Sequence, residues 1–193
     1  MNVRIVRLMG WFGVLSPILA AAMIYLSVGS TPGWSVTEET LSHLGSGGFG
    51  AVLFNNGLVM SGALMLLFGV GLYEFSAGDT VGRIGTGLYL LSAGLVIGLS
   101  LATIEFQPIH NQVAMALFVA LPLSAAFTSV YSWRIGLRPY AVVGFAAAAV
   151  SVGVWIVAGS VTAFIEVVAL APIALWQMAL GYWMRGQTPE DDL

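Results

Sequence analysis

Long apolar stretches separated by short polar ones run the length of the chain. Six of them are long enough to cross a hydrocarbon core about 30 Å thick, which takes about 20 helical residues. They cover about residues 8–28, 51–73, 84–104, 111–133, 140–158 and 162–184. Such runs are too long and too evenly apolar for barrel strands, and backbone groups in hydrocarbon must be bonded within their own segment. The pattern therefore predicts an all-α fold: a polytopic membrane protein with a single six-transmembrane-helix domain over residues 1–193.

Composition and charge agree with this prediction and narrow the function classes. Hydrophobic residues make up 59% of the chain and charged residues 8%, whereas soluble domains carry about a quarter charged residues. The chain has no Cys, which excludes a disulfide framework, a cysteine nucleophile and a thiolate metal site. Its net charge of -3 also argues against a nucleic acid partner, because binding to phosphate needs clustered cations.

The basic residues are all Arg, and they all fall on one side of the predicted membrane. They are Arg4, Arg7, Arg83, Arg134, Arg138 and Arg185. Under the positive-inside rule this side is the cytoplasm, and an even number of spans returns the C-terminus to it. The lack of Lys also fits a prokaryote with a GC-rich genome. We therefore expect a multi-pass protein of the prokaryotic plasma membrane with both termini in the cytoplasm.

The N-terminus also has the outline of a secretory signal peptide. Arg4 and Arg7 precede an apolar run, and Ala20, Ala21 and Ala22 follow in it, which is the order of a signal sequence and its cleavage site. The run continues to about residue 28, however, and its roughly 21 residues suit a membrane span better than a short signal segment. We interpret it as span 1.

The longest stretch outside the spans lies between the first and the second, on the predicted outer side. Ser35 and Glu38 have the spacing of a capping box, and Gly45 can supply the left-handed residue that ends a helix. The pattern predicts a short extracellular helix between them. Glu39 and His43 would then lie four residues apart on one of its faces.

Small residues predict where the helices touch, because close backbone approach stabilises helix pairs in lipid. Gly94 and Gly98 form a G-x-x-x-G pair in span 3. In span 2, Asn55, Gly62 and Gly69 recur every seven residues, which keeps them near one stripe of the helix. We expect both sets to lie in packing seams.

Ionisable and amide side chains collect at the outer ends of the predicted spans. The candidate pocket residues are Glu39, His43, Asn55, Asn56, Glu105, His110 and Glu166. An ionisable side chain near hydrocarbon favours a partner or water, so this clustering predicts a polar pocket that opens towards the outer leaflet. Loop capping, solvation and the start of a span are the structural alternatives for these residues.

Helical spacing predicts how some of these side chains point. Glu105 falls about five turns after Gly87 and near the meridian of the glycine pair in span 3, so we expect it to face the bundle interior, within reach of His110 and Glu166. Glu166 and Gln177 are about three turns apart and should share a face of span 6. His43 and Asn55 are expected to border the pocket.

Three function classes fit these residues. The first is a bundle that binds a lipid headgroup or a small molecule, the second a membrane-embedded lipid hydrolase or transferase that uses Glu and His or a metal, and the third a small-solute or proton-coupled transporter.

Two His with carboxylates suit zinc, but the His spacings of metal motifs are absent, so we predict no metal and no cofactor. No Ser-His-Asp arrangement is legible, because Asp79, Asp191 and Asp192 fall on the cytoplasmic side. Membrane lipids, a small-molecule ligand, and a membrane-protein assembly or homo-oligomer are the expected partners.

Several short motifs resemble those of one family of membrane proteins. They are Gly10-Trp11-x-Gly13 with Pro17, Leu41-Ser42-His43-Leu44-Gly45, Phe54-Asn55-x-Gly57-Leu58 with Ser61-Gly62, and Pro108-Ile109-His110. As a set they resemble the prokaryotic domain of unknown function 998 family, through about Phe118. That family more often has Asp where this chain has His43, so a role of that carboxylate does not carry over. The segment of His110, Ala114 and Phe118 also resembles the DRAM-like six-span proteins. The first resemblance implies six spans with no agreed activity, and the second implies a shared bundle without carrying a mechanism across.

Overall fold

The computed structural model describes residues 1–188, and it is helical throughout. The last five residues of the predicted domain, 189–193, lie outside the described part. The helices are α1 Val3–Gly29, α2 Gly48–Phe75, α3 Thr80–Leu101, α4 Ile109–Arg134, α5 Arg138–Val157 and α6 Ala163–Arg185, with a 3₁₀ helix at Leu41–Gly45 between α1 and α2. Residues 1–188 contain no strand. All six α-helices are long and apolar enough to cross a membrane, which confirms the prediction of an all-α, multi-pass membrane protein.

Short turns with glycine join the helices at one end of the bundle. Gly78 precedes α3 and Gly136 precedes α5, with φ of 84° and 85°, values that side chains disfavour. Asp79 then caps α3 by accepting a hydrogen bond from the Gly82 N–H at 2.8 Å. At this end Asp79 also pairs with Arg134 at 3.6 Å, which ties the turn before α3 to the end of α4.

The six helices form a closed antiparallel ring. Each packs against its neighbours in sequence, and α6 returns to pack against α1. The closing contact is made by backbones: a Cβ at Gly10 would lie 2.6 Å from the Gly181 carbonyl oxygen, so only glycine allows this approach. All six Arg residues therefore belong to the same end of the ring, which we call the arginine end. The opposite end, which carries the 3₁₀ helix, is the loop end.

The arginine half of the bundle holds most of the apolar core. Phe75 packs edge-on against Tyr131 and Trp183, with ring centroids 5.0 and 5.5 Å apart. The Tyr131 hydroxyl donates to the Phe75 carbonyl at 2.8 Å. Trp176 and Met184 are also fully enclosed. These large side chains fill the ring from the arginine end to about its middle.

The glycine predictions have different outcomes in α2 and α3. Gly62 and Gly69 face Ile97 and Leu90 of α3 at distances that leave no room for a Cβ, so the predicted seam on α2 is confirmed. The prediction that Gly94 and Gly98 of α3 lie in a packing seam is wrong. Gly94 is exposed with open space around it, and Gly98 makes only an ordinary contact with Val113 of α4, so this pair does not bring two backbones close together.

The segment between α1 and α2 differs from its prediction. The helix expected from the Ser35 and Glu38 spacing is wrong: residues 36–38 form a turn, Glu39 lies in a bend, and the 3₁₀ helix starts only at Leu41. Glu39, one residue later than expected, accepts from the Ser35 N–H at 3.1 Å. His43 Nδ1 then accepts from the Thr40 N–H at 3.2 Å. Hydrogen bonds from a side chain to a nearby backbone group compete with those of an α-helix, and here they hold short turns instead.

The same segment is fastened to the start of α6. The N–H groups of Ala163 and Phe164 donate to the carbonyls of Glu39 and Val36 at 2.6 and 2.9 Å. The first N–H groups of a helix have no partner within it, so the loop supplies what α6 lacks. Leu41 and Leu44 are buried beneath it, and the loop thereby covers that end of the ring.

Candidate functional site

The loop half of the ring encloses a central cavity of about 180 Å³. This is the order of size that holds a small aromatic molecule. Most of its wall is apolar, but polar side chains reach it from four helices, α1, α2, α4 and α6, and from two of the connections. They are Ser16, Ser42, Asn55, Ser61, Thr103, His110, Glu166 and Gln177.

A second and larger cavity, of about 880 Å³, lies on the flank of the bundle between α4 and α5. Exposed apolar side chains of both helices line it, among them Met115, Val119 and Ile156. Six residues line this flank cavity and the central cavity alike: Ser42, Ile104, His110, Ala114, Phe118 and Glu166. The two cavities therefore meet at one wall, where polar and apolar side chains stand together.

His110 lies in that shared wall and is held by two hydrogen bonds. It is 5% exposed, in the first turn of α4, and its Nδ1 lies 2.7 Å from the Ala102 carbonyl oxygen. Because a carbonyl only accepts, Nδ1 carries a proton. Its Nε2 lies 2.9 Å from Ser42 Oγ. In the neutral ring, Nε2 is then the acceptor of the Ser42 hydroxyl proton.

Glu166 is the buried acid of the same wall. It is 7% exposed and lies in the first turn of α6, where the helix dipole favours negative charge. Its Oε2 accepts from the Leu41 N–H at 2.6 Å, the only hydrogen bond of this carboxyl within residues 1–188. A buried carboxylate is costly without further partners. The remaining oxygen is therefore available to a bound molecule.

Two further candidates border the cavities. Asn55 lines the central cavity, and its Nδ2 donates to the Gly45 carbonyl at 3.2 Å. His43 lines the flank cavity, although its Nδ1 also caps the 3₁₀ helix. The structure thus brings His110 and Glu166 to one wall, with Asn55 and His43 beside them, as expected.

The other three candidates lie outside both cavities. Glu39 caps a turn in the loop, and Asn56 is exposed and donates to the Val52 carbonyl of its own helix at 2.7 Å. The inward direction predicted for Glu105 is wrong. The α3 helix ends at Leu101, so Glu105 is an exposed residue of the connection to α4, and the meridian from Gly87 faces away from the ring. Within residues 1–188, no three His, Asp or Glu side chains gather as metal ligands would.

Comparison with known proteins identifies the family of this chain. A model of the family described as protein of unknown function (DUF998) matches residues 14–183. The chain belongs to the DUF998 family. The match confirms the family that the short motifs indicated and extends the resemblance from about Phe118 to residue 183. No curated protein and no solved structure matches the chain. The resemblance to DRAM-like proteins stays a prediction.

The structure of this DUF998 protein also adds site residues that sequence reasoning missed. Ser42 is the main one. It was missed because its contact with His110 joins residues far apart in the chain. Its place beside His43 in the Leu41–Gly45 motif was the available signal. Gln177 was expected to share a face with Glu166, and both line the central cavity. The Gln177 amide donates to Ser16 Oγ at 2.6 Å and forms the polar floor.

Proposed function

We propose that this DUF998 protein binds a membrane lipid, or a molecule of the same amphipathic shape, at the loop end of the bundle. The polar headgroup lies against Ser42, His110 and Glu166, and an acyl chain lies in the flank cavity. One observation carries the proposal: Ser42, His110 and Glu166 stand in the wall that the apolar groove on the flank shares with the central cavity. A lipid likewise joins an apolar chain to a polar headgroup.

The position of the groove supports entry from the membrane. Met115, Val119 and Ile156 are exposed on helices long enough to span a bilayer, so lipid tails surround them. The Phe118 and Trp155 rings stack edge-on at 4.8 Å in the wall of the groove. Ligand pockets are mostly apolar with a few placed polar groups, and this pair of cavities has that composition.

The site lies, we propose, at the outer leaflet of a prokaryotic plasma membrane. Six Arg at the opposite end support a cytoplasmic arginine end and cytoplasmic termini. A transport function would need a polar route through the arginine half. Phe68, Tyr89 and Trp176 are fully buried there and fill that route, so binding fits the packing better.

Retention of lipid by the purified protein tests the proposal. Ala114 lies in the shared wall, and Ala114→Trp would fill it. Ala146→Trp, on an exposed face of α5 outside both linings, is the matched control. After delipidation and incubation with mixed-lipid vesicles, wild-type protein and Ala146→Trp should retain about one lipid per chain, and Ala114→Trp should retain at least several-fold less. Equal retention by all three proteins would refute binding at this wall.

A further inference from the structure

We propose that Ser42 is a nucleophile for acyl transfer, with His110 as its general base and an ester-linked lipid as the acyl donor. The inference rests on the proposed function for delivery of the lipid to the shared wall. It adds a reaction to that binding, and it assigns the serine that performs it.

The geometry at Ser42 is that of an activated hydroxyl. Ser42 Oγ lies 2.9 Å from His110 Nε2, and the other ring nitrogen is held 2.7 Å from the Ala102 carbonyl. A nucleophile within hydrogen-bond reach of a base, which is itself oriented by a third group, is the arrangement that covalent catalysis requires. Here a backbone carbonyl stands in the place of the usual carboxylate. It fixes the tautomer that leaves Nε2 able to accept a proton.

The backbone on both sides of the hydroxyl is also held. Glu166 accepts from the Leu41 N–H, the residue before Ser42, and Thr40 and His43 close the first turn of the 3₁₀ helix through their own hydrogen bonds. Reacting groups gain most when they are held in a productive geometry before the substrate arrives. Glu166 is a positioning residue in this arrangement.

The location supplies the substrate class. Ser42 and His110 line both cavities, and His110 is in the first turn of a membrane-spanning helix. The end of a span lies where hydrocarbon gives way to the polar interface, and the ester linkages of membrane lipids lie at that level. A lipid with its chain in the flank cavity therefore presents an ester carbonyl near Ser42 without leaving the membrane.

The reaction proceeds in two balanced steps. Ser42 Oγ forms a bond to the ester carbonyl carbon while His110 Nε2 takes the hydroxyl proton. The carbon–oxygen bond to the alcohol then breaks, the alcohol leaves with that proton, and the acyl group stays on Ser42. In the second step water, activated by His110, attacks the acyl-serine carbon, which releases a carboxylic acid and returns the proton to the serine oxygen.

A structural role is the competing explanation of the same contacts. The hydrogen bonds of His110 tie the 3₁₀ helix to α4 and to the end of α3, and a loss of stability would follow from either role. Chemical reactivity separates them, because a serine that only bridges helices has no reason to attack an electrophile faster than its neighbours.

An alkyl fluorophosphonate, which forms a covalent bond with activated serines, is the first probe. Wild-type protein in nanodiscs should be labelled at one site, identified as Ser42 by peptide mass spectrometry. Ser42→Ala should abolish labelling. Ser46→Ala is the matched control, because Ser46 lies in the same loop but donates to the His43 carbonyl at 2.7 Å, and it should be labelled like wild type. An unlabelled wild-type protein would overturn the assignment.

Two further variants keep the result clear if Ser42→Ala folds poorly. His110→Ala should lower the labelling rate by about 10²–10⁴-fold, and added imidazole should restore part of it, which no structural loss predicts. Ser42→Cys provides a single thiol in a chain without Cys, and it should react with an apolar alkylating reagent faster than the thiol of Ser46→Cys. Equal rates for the two thiols, or no recovery with imidazole, would refute a base at His110.

The two proposals fail in different ways. If wild-type protein retains lipid but neither reacts with the fluorophosphonate nor hydrolyses a nitrophenyl ester of a fatty acid, the nucleophile is refuted and lipid binding stands. If it reacts with the probe but retains no lipid, the nucleophile stands and the proposed binding function is refuted.

Discussion

The arginine half and the loop half of the bundle are made from the same six helices, but they are filled differently. In the arginine half, Phe75, Tyr131 and Trp176 are buried in the ring, and α1 meets α6 backbone to backbone at Gly10. In the loop half, a few polar side chains such as Ser42, His110 and Glu166 stand among apolar ones, and cavities remain. Close packing stabilises a membrane bundle where hydrophobicity gives no preference for protein over lipid. The loop half gives up part of that stabilisation for a space that a ligand can enter.

The acidic side chains of the two ends also differ in their partners. At the arginine end, Asp79 pairs with Arg134, and Arg185 lies against the faces of Trp11 and Tyr182 at 4.6 and 4.5 Å. At the loop end, Glu166 is enclosed, and it forms no ion pair with any residue of 1–188. An ionisable group inside a membrane protein is expensive and therefore indicates function more strongly than a surface pair does. The difference supports the proposal of a functional site at the loop end.

The largest expected difference between the two ends is their access from outside the cell. Since the chain has no Cys, single cysteines at Ser46 and Thr188 report the loop end and the arginine end without background. An impermeant maleimide should label Ser46→Cys in intact cells and Thr188→Cys only after permeabilisation, because the arginine end is expected in the cytoplasm. The reverse pattern would invert the orientation, and labelling of both in intact cells would contradict six spans.

The next largest effect concerns the packed half. Gly10→Ala puts a Cβ 2.6 Å from the Gly181 carbonyl oxygen and 2.7 Å from the Arg185 nitrogen, and neither backbone atom can move without separating α1 from α6. We expect a loss of about 1–3 kcal/mol in the free energy of unfolding, measured by denaturation in detergent.

Gly94→Ala is the matched control for this substitution. It adds the same methyl group to α3 in open space, and it should leave stability unchanged or raise it by up to about 1 kcal/mol, since alanine favours helix over glycine. Equal losses in the two variants would contradict the assignment of the α1–α6 contact as the tight seam and of the α3 face as open.

The glycines of α2 and α3 show what the sequence could predict and what it could not. The spans and the sorting of Arg follow from local hydrophobicity and charge, so they were predictable. The seven-residue spacing of Gly62 and Gly69 located a seam, because two positions on one face of a helix stay together wherever that face points. The direction of the Gly94 face depends on where neighbouring helices pack, which local spacing does not contain.

The errors at the site have the same physical origin. Glu105 was extrapolated along a helix that ends earlier, at Leu101, and a shift of one turn changes an inward residue into a loop residue. Ser35 and Glu38 have the spacing of a cap, but Glu39 makes the bond instead. The pairing of Ser42 with His110 depends on how the loop folds over the ring. Helix periodicity predicted that Glu166 and Gln177 share a face, and both line the central cavity, because both lie within the same α-helix.

Removing the charge of Glu166 is expected to change stability least of all these substitutions. It also tests most directly whether the loop half binds a ligand. Glu166→Gln keeps an oxygen that can accept from the Leu41 N–H but removes the cost of enclosing a carboxylate. The melting temperature in detergent should therefore stay level or rise slightly, while retention of lipid should fall, because the ligand loses a charge-assisted partner. Glu105→Gln makes the same chemical change at an exposed residue and should alter neither quantity. A marked drop in the melting temperature of Glu166→Gln, with lipid retention unchanged, would mean that the carboxylate serves only to hold the 3₁₀ helix against α6.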